Sequence, residues 1–354
     1  MSTAGWVTAE ALNCTCLSTR TTMNSYQRLP PELLLHIFEE ACLSSWRERK
    51  SSQSRVASRL LVGGVCRRWR CVIQTTSTFW SQICVVLSES ADTNASQLRY
   101  LEYCIERSEK QPLSICIQQL RSQKLSLDPQ KHEKYRHAFA EAIDLLAPHS
   151  ERWMEIDFFI PRCTPCPSLQ KIKGRLPSLQ FLDIQVSSFR YSIRDHQPAL
   201  PLESFSSAPR LSTLHYPADR FSLEVDWTTL TSFTCASLSL REALYILTKS
   251  VNLRSCNIKI FHSDFDGETS LISLRFLKTL VLRDYRLSTR VQLLDWMVLP
   301  ALNHLAVNAT VQGQAIQSLL LRSSCNATVQ RLGGSGIRGA LETAVSGLAL
   351  AAHT

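Results

Sequence analysis

The chain has 354 residues, long enough for two or three ordinary domains or for one small domain followed by an array of repeats. Its hydrophobic share of 44% and charged share of 19% are those of a folded chain and exclude global disorder. Lys and Arg outnumber Asp and Glu by 39 to 30, a formal +9. The densest basic stretch, Arg47, Arg49, Lys50, Arg55, Arg59, Arg67, Arg68 and Arg70, lacks the run of interleaved aromatics that base stacking needs, so it reads as a solvated basic face and nucleic acid is not an expected partner.

Thirteen cysteines are scattered rather than gathered into a framework, and residues 1–22 carry neither a basic start nor a continuous apolar run. No stretch approaches the length of a membrane span. The expectation is an intracellular chain, in cytoplasm or nucleus, with reduced thiols and no membrane partner. Cys163 and Cys166 form a C-x-x-C, but no second pair completes a zinc site. G-x-S-x-G, P-loop and H-E-x-x-H signatures are missing from the sequence, and its glycine cluster from Gly333 to Gly339 follows no convincing strand pattern and lacks the phosphate-binding Lys. No catalytic residue, metal ligand or cofactor is therefore assigned, and a binding protein is expected rather than an enzyme.

In chain order, residues 1–25 are Ser- and Thr-rich with little periodicity, which predicts a disordered tail. From Leu29 the sequence reads Leu-Pro-Pro-Glu-Leu-Leu-Leu-His-Ile-Phe-Glu-Glu-Ala-Cys. Proline suits a first helical turn and Glu32 suits a helix N-terminus, so a helix begins there with Leu33, Leu34, Ile37, Phe38 and Ala41 on one face. The polar stretch from Ser44 to Ser58 predicts a loop. A second apolar pattern, Leu61, Val65, Trp69, Val72 and Ile73, predicts a helix firm over about 65–74, with Gly63 and Gly64 weakening its start. Phe79, Trp80 and Ile83 close a small helical module over 26–87.

Leu29-Pro30, Leu33 and Ile37-Phe38, followed by Val65-Cys66-Arg67-Arg68-Trp69-Arg70 and Phe79-Trp80, resemble the F-box domain, and specifically that of fungal F-box proteins. The resemblance implies docking onto a Skp-type adaptor, and through it a cullin, within a cullin-RING ubiquitin ligase. The docking residues it implies are Leu29, Pro30, Leu33, Ile37, Phe38, Val65, Cys66 and Trp69. The segment between the two halves, Leu43 to Leu60, is longer and more basic than in compact members of that family.

Residues 88–150 predict a helical linker region: a short helix over 98–107, a strand opened by Pro112 with Leu113, Ile115 and Ile117 alternating, and an amphipathic helix over 134–146. Beyond it the form P-x-L-x-x-L-x-hydrophobic appears three times, from Pro177, Pro209 and Pro300. A looser apolar-x-x-apolar-x-apolar form starts at Trp153, Leu179, Leu211, Leu230, Leu253, Leu277 and Leu302, at intervals of 19 to 32 residues. At this hydrophobicity the bare pattern arises by chance roughly 17 times in 200 positions. The weight therefore falls on its near-regular spacing, its proline, and the helical stretches between copies at 241–248, 291–297 and 315–321.

Leucine-rich repeats have such spacing, and irregular ones are familiar behind the fungal F-box. The fold class expected is α+β: an N-terminal helical F-box-like domain followed by an irregular leucine-rich repeat solenoid over 151–332. The strand positions between the leucines become candidates for holding a target protein: Gln180, Phe181, Asp183, Ser212, Thr213, His215, Lys278, Thr279, Val281, Asn303, His304 and Ala306. Residues 333–354 form a Gly/Ala-rich tail without a terminal repeat, so the array is expected to end uncapped. The sequence leaves a second reading open, a repeat scaffold unconnected to ubiquitin whose N-terminal helices serve only as a cap.

Overall fold

The computed structural model describes residues 29–42, 52–120, 129–161, 167–186, 200–201, 203–217, 221–262, 270–284, 292–308 and 313–332. The two expected tails, the Cys163/Cys166 pair and the first part of the basic spacer lie outside the described residues.

The chain enters helix α1, Pro31–Cys42, where the sequence places it, and Leu34, Phe38 and Cys42 recur one helical turn apart as its buried edge. Helix α2, Ser52–Val65, occupies much of the segment expected to be a loop. No proline interrupts that segment, and the packing of Arg59 and Val62 against the core outweighs its weak apolar pattern. Gly63 and Gly64 fall inside this helix, and the firm helix expected over 65–74 is broken. Cys66 is extended, with φ −156° and ψ 169°, and caps a separate helix α3, Arg67–Thr75. A 3-10 turn over Ser77–Trp80 then buries Phe79 and Trp80, and the Trp80 indole Nε1 donates to the Ile73 carbonyl at 2.9 Å.

From here the chain alternates strands with connecting turns and helices. The strands are β1 Gln82–Leu87, β2 Leu113–Gln119, β3 Trp153–Ile160, β4 Phe181–Val186, β5 Leu200–Pro201, β6 Thr213–Tyr216, β7 Phe221–Ser222, β8 Ser232–Ser239, β9 Ser255–His262, β10 Ile272–Ser273, β11 Thr279–Asp284, β12 Met297–Val298, β13 His304–Asn308 and β14 Thr328–Leu332. The longer connections hold helices α4 Ala91–Arg107, α5 Pro129–Leu146, α6 Pro167–Gln170, α7 Leu240–Lys249 and α8 Gly313–Ser323. Several run longer or shorter than the sequence predicts. Helix α4 starts seven residues earlier, where Ser90 caps it by accepting from the Thr93 amide, and α5 starts at Pro129. The stretch at 291–297 is a 3-10 turn over Gln292–Trp296 leading into β12.

Ten strands form one sheet in the order β1-β2-β3-β4-β6-β8-β9-β11-β13-β14, every neighbouring pair parallel. Two-stranded parallel ribbons, β5 with β7 and β10 with β12, form beside it. Strand order follows chain order, so each unit pairs with the unit before and after it. The seven starts read from sequence each fall at or two residues ahead of a strand of this sheet, from β3 to β13. The sheet, however, begins before the expected repeat boundary. Strand β1 belongs to the N-terminal module and β2 to the expected linker, yet β1 pairs with β2, and β2 pairs with β3 across a register shift at Leu113/Ser114.

A recurring turn sets this register. The amides of Leu179, Leu211, Leu230, Leu253, Leu277 and Leu302 each bond the carbonyl three residues back, to Leu176, Ala208, Trp227, Ser250, Leu274 and Leu299. In three of these turns the second residue is Pro177, Pro209 or Pro300, whose ring presets the φ the turn requires. The carbonyls of Gln180, Ser212, Thr231, Arg254 and Lys278 then each accept two successive amides from the following unit.

Alternation does the rest. Ile83, Ile115, Ile156, Leu182, Leu214, Phe233, Cys256, Leu280 and Leu305 form one buried row across the sheet, and the turn leucines are buried beside it. Each such side chain contributes on the order of 1.5–3 kcal/mol by burial. Leu34, Phe38 and Ile73 of the helices belong to the same core as these strands.

Candidate functional site

Two surfaces remain once the core is assigned. The first lies on the helical module. In α1, Leu33 and Ile37 stand on the side away from Leu34 and Phe38 and are 51% and 48% exposed. In α2, Leu60, Leu61 and Val65 are 51%, 72% and 57% exposed. The two helices pack together, so one small module presents five large aliphatic side chains to solvent, an arrangement that costs solubility unless a partner covers it.

The positions expected to dock divide into groups. Leu33, Ile37 and Val65 are open to solvent, and so is Pro30. Leu29, Cys66 and Trp69 are half-buried, Leu29 and Trp69 packing on the core. The Leu29 carbonyl accepts from Arg68 Nη2 at 2.5 Å, which ties the Leu-Pro turn to α3. Phe38 is 1% exposed, with its ring against Trp69, and so fills the core rather than facing a partner. Leu60 and Leu61 are the open positions that sequence reasoning missed. Leu61 enters the sequence reading only as part of the second apolar pattern, and the loop expected through Ser58 leaves the helix carrying both residues without its first turns, so neither is assigned to docking.

The second surface is the other face of the sheet. One row across it runs Cys84, Cys116, Asp157, Asp183, His215, Thr234, Asn257, Val281, Ala306 and Gln330. Its first half is acidic and tightly bonded. Asp157 accepts from Gln118 Nε2 at 3.1 Å and lies 3.4 Å from the Cys116 thiol. Asp183 lies 3.2 Å from His215 Nδ1, and the imidazole meets the Phe181 ring edge-on at 5.2 Å. Towards the other end Lys259 and Arg283 are register partners. Burial holds both below their ordinary pKa, and the nearby Arg283 charge lowers Lys259 further.

Of the strand positions expected to hold a target, Phe181, Asp183, Thr213, His215, Thr279 and His304 lie on this face and are half-buried, whereas Val281 and Ala306 are buried. Gln180, Ser212, Lys278 and Asn303 stand just ahead of the strands, where their carbonyls serve the ladder. Glu155, Asp157, Lys259 and Arg283 were not picked out from sequence. Alternation counted from Ile156 and Phe158, which are buried on the core side, identifies the first two, since both occupy the alternate positions of β3.

Among the described residues no helix is long and apolar enough to cross a membrane. In comparison with known families, the model of the F-box-like family matches residues 26–86, which span the helical module and nearly all of β1. No curated protein matches the chain significantly. The N-terminal module is thus an F-box-like domain, and α1 and α2 with their exposed aliphatic side chains lie within it.

Proposed function

We propose that this chain is the substrate-recruiting F-box subunit of a cullin-RING ubiquitin ligase, as the likeness to fungal F-box proteins implies. It docks a Skp-type adaptor, and through it a cullin, by the exposed face of α1 and α2: Leu33, Ile37, Leu60, Leu61 and Val65, flanked by Leu29, Pro30, Cys66 and Trp69. The observation that carries this reading is the coincidence of the F-box-like match with those five solvent-facing aliphatic side chains. The units behind the module are read as irregular leucine-rich repeats stacked as a solenoid, supported by their turn leucines, in-order parallel strands and intervening helices. Their polar face holds the target protein. The chain performs no chemistry itself and works in cytoplasm or nucleus.

Co-expression of the full chain with a Skp-type adaptor tests this. The adaptor co-purifies with the wild type and is lost from Ile37→Asp and Leu61→Asp, both of which stay folded because neither side chain lies in the core. An adaptor that fails to associate at micromolar concentration sinks the reading.

One observation favours the second reading, a scaffold capped by its own helices: nearly all of β1 lies inside the matched region, and the strand pairs with β2 beyond it. Deleting residues 26–87 strips the sheet of its first strand under either reading, so only the exposed side chains discriminate between them.

A further inference from the structure

Arg59 belongs to the basic run expected to face solvent, yet the structure leaves it 5% exposed. Its guanidinium lies 5.2 Å from the centre of the Trp80 ring and 5.5 Å from that of Tyr100. Nη1 donates to the Phe79 carbonyl at 2.5 Å, Nη2 donates to the Tyr100 hydroxyl, and Nε is buried without a hydrogen bond. Among the described residues no carboxylate pairs with it. The ionisable groups around it are the thiols of Cys42, Cys84 and Cys104, and burial pulls the guanidinium below its ordinary pKa.

A charge held this way costs more than an aliphatic side chain of the same size, so hydrophobic stability does not explain it. Its contacts do have a common direction. Arg59 is in α2, while Phe79 and Trp80 are in the turn before β1 and Tyr100 is in α4, the first helix crossing between strands of the sheet. Arg107 of α4 makes the reciprocal link, its guanidinium 4.7 Å from Tyr103 and 5.9 Å from Trp80 and its Nη1 donating to the Gln74 carbonyl of α3 at 2.6 Å.

We propose that Arg59 is a positioning residue that locks α2 to the first strand–helix unit, so that the exposed aliphatic face and the polar sheet face keep one relative orientation. An aliphatic residue slides on its neighbours, whereas a planar fork with directed bonds to a carbonyl and a hydroxyl allows one seating. The use made of this lock rests on the ligase reading, in which a target must sit at a constant place relative to the adaptor. The lock itself does not depend on that reading.

The test uses the full chain with spin labels on non-natural residues replacing His36 in α1 and Gln330 in β14, both exposed. Pulsed electron resonance reads one narrow distance distribution in the parent. Arg59→Met, which keeps the stem and removes the fork, loses that single narrow peak while sheet amides keep their exchange protection. Arg59→Lys restores it in part. A residue that merely stabilises the fold lowers the melting temperature without altering the distances in the folded state, so an unchanged distribution in folded Arg59→Met overturns the proposal. Should that variant not fold, Tyr100→Phe decides, because it deletes one hydroxyl and opens no cavity: a broadened distribution supports the lock and an unchanged one rejects it. Adaptor capture is scored separately in the wild type. Its failure alongside broadened distances rejects the docking reading and leaves the lock standing.

Discussion

The rings of Phe38 and Trp69 meet edge-on, 4.8 Å between centroids and 60° between planes, and this contact joins α1 to α3. Two aromatic residues that the F-box resemblance assigns to docking are thereby engaged with each other, and the aliphatic residues beside them are left open to solvent. Truncation of the two kinds of residue separates the roles. Phe38→Ala costs about 3–5 kcal/mol of stability by leaving a core cavity, read as a fall in denaturation midpoint. Ile37→Ala stays within about 0.5 kcal/mol of the parent, as surface changes do, yet weakens adaptor capture. Equal loss of stability in both sinks this division.

The turn leucines and turn prolines differ in the same measurable way. Leu302→Ala empties a site that is 2% exposed and costs about 2–5 kcal/mol. Pro300→Ala leaves the turn bond between Leu302 and Leu299 in place and acts mainly by freeing the unfolded chain, at about 0.4–1 kcal/mol. Chemical denaturation of the two variants ranks them, and a proline effect as large as the leucine effect contradicts the preset turn.

Alkaline conditions weaken the fold through its buried thiols. Burial pushes Cys104 and Cys256 up to about 12 from 9.0. Between those limits the unfolded chain releases protons that the folded chain keeps, so stability is full below pH 9 and falls as pH rises. The slope approaches about 1.4 kcal/mol per pH unit for each thiol. Melting curves from pH 8 to 10.5 record the decline, and Cys256→Ala flattens it. The same burial protects the thiols from alkylation, so under native conditions iodoacetamide labels Cys71, which is exposed, well before Cys104, Cys116 or Cys256. Peptide mass mapping that finds the buried three labelled as fast contradicts their placement.

The polar face of the sheet is tested by charge reversal. Asp183→Lys replaces the carboxylate beside His215 and opposite Asp157 with a cation while leaving α1 and α2 untouched. Adaptor capture persists and the set of proteins co-purified from the native cell changes. An unaltered set means that the target is held elsewhere.

Much of the array was legible because its signals are local. The leucine ahead of each strand, the proline two residues before some of those leucines and the alternating apolar residues are read within a single unit, and each of the seven starts falls at or just before a strand. The helix at Pro31 was legible for the same reason, since proline, an acidic first turn and apolar spacing all lie within twelve residues. Helix α2 was not. Its sequence is polar and basic, and what holds it is the seating of Arg59 among Phe79, Trp80 and Tyr100, residues 20 to 41 positions away.

By itself, then, the sequence determined the kinds of unit this chain is made of, an F-box-like helical opening and a series of strand-forming repeats, because backbone turns and side-chain alternation obey nearest-neighbour rules. Tertiary structure decided where one ends and the next begins. Strand β1 pairs with β2 across the expected boundary, so module and sheet share one core. Tertiary packing also decided which apolar residues are spent inside and which stay outside, since Leu33 and Leu34 are neighbours of the same type in the same helix and only the position of α3 and the sheet separates an exposed side chain from a buried one.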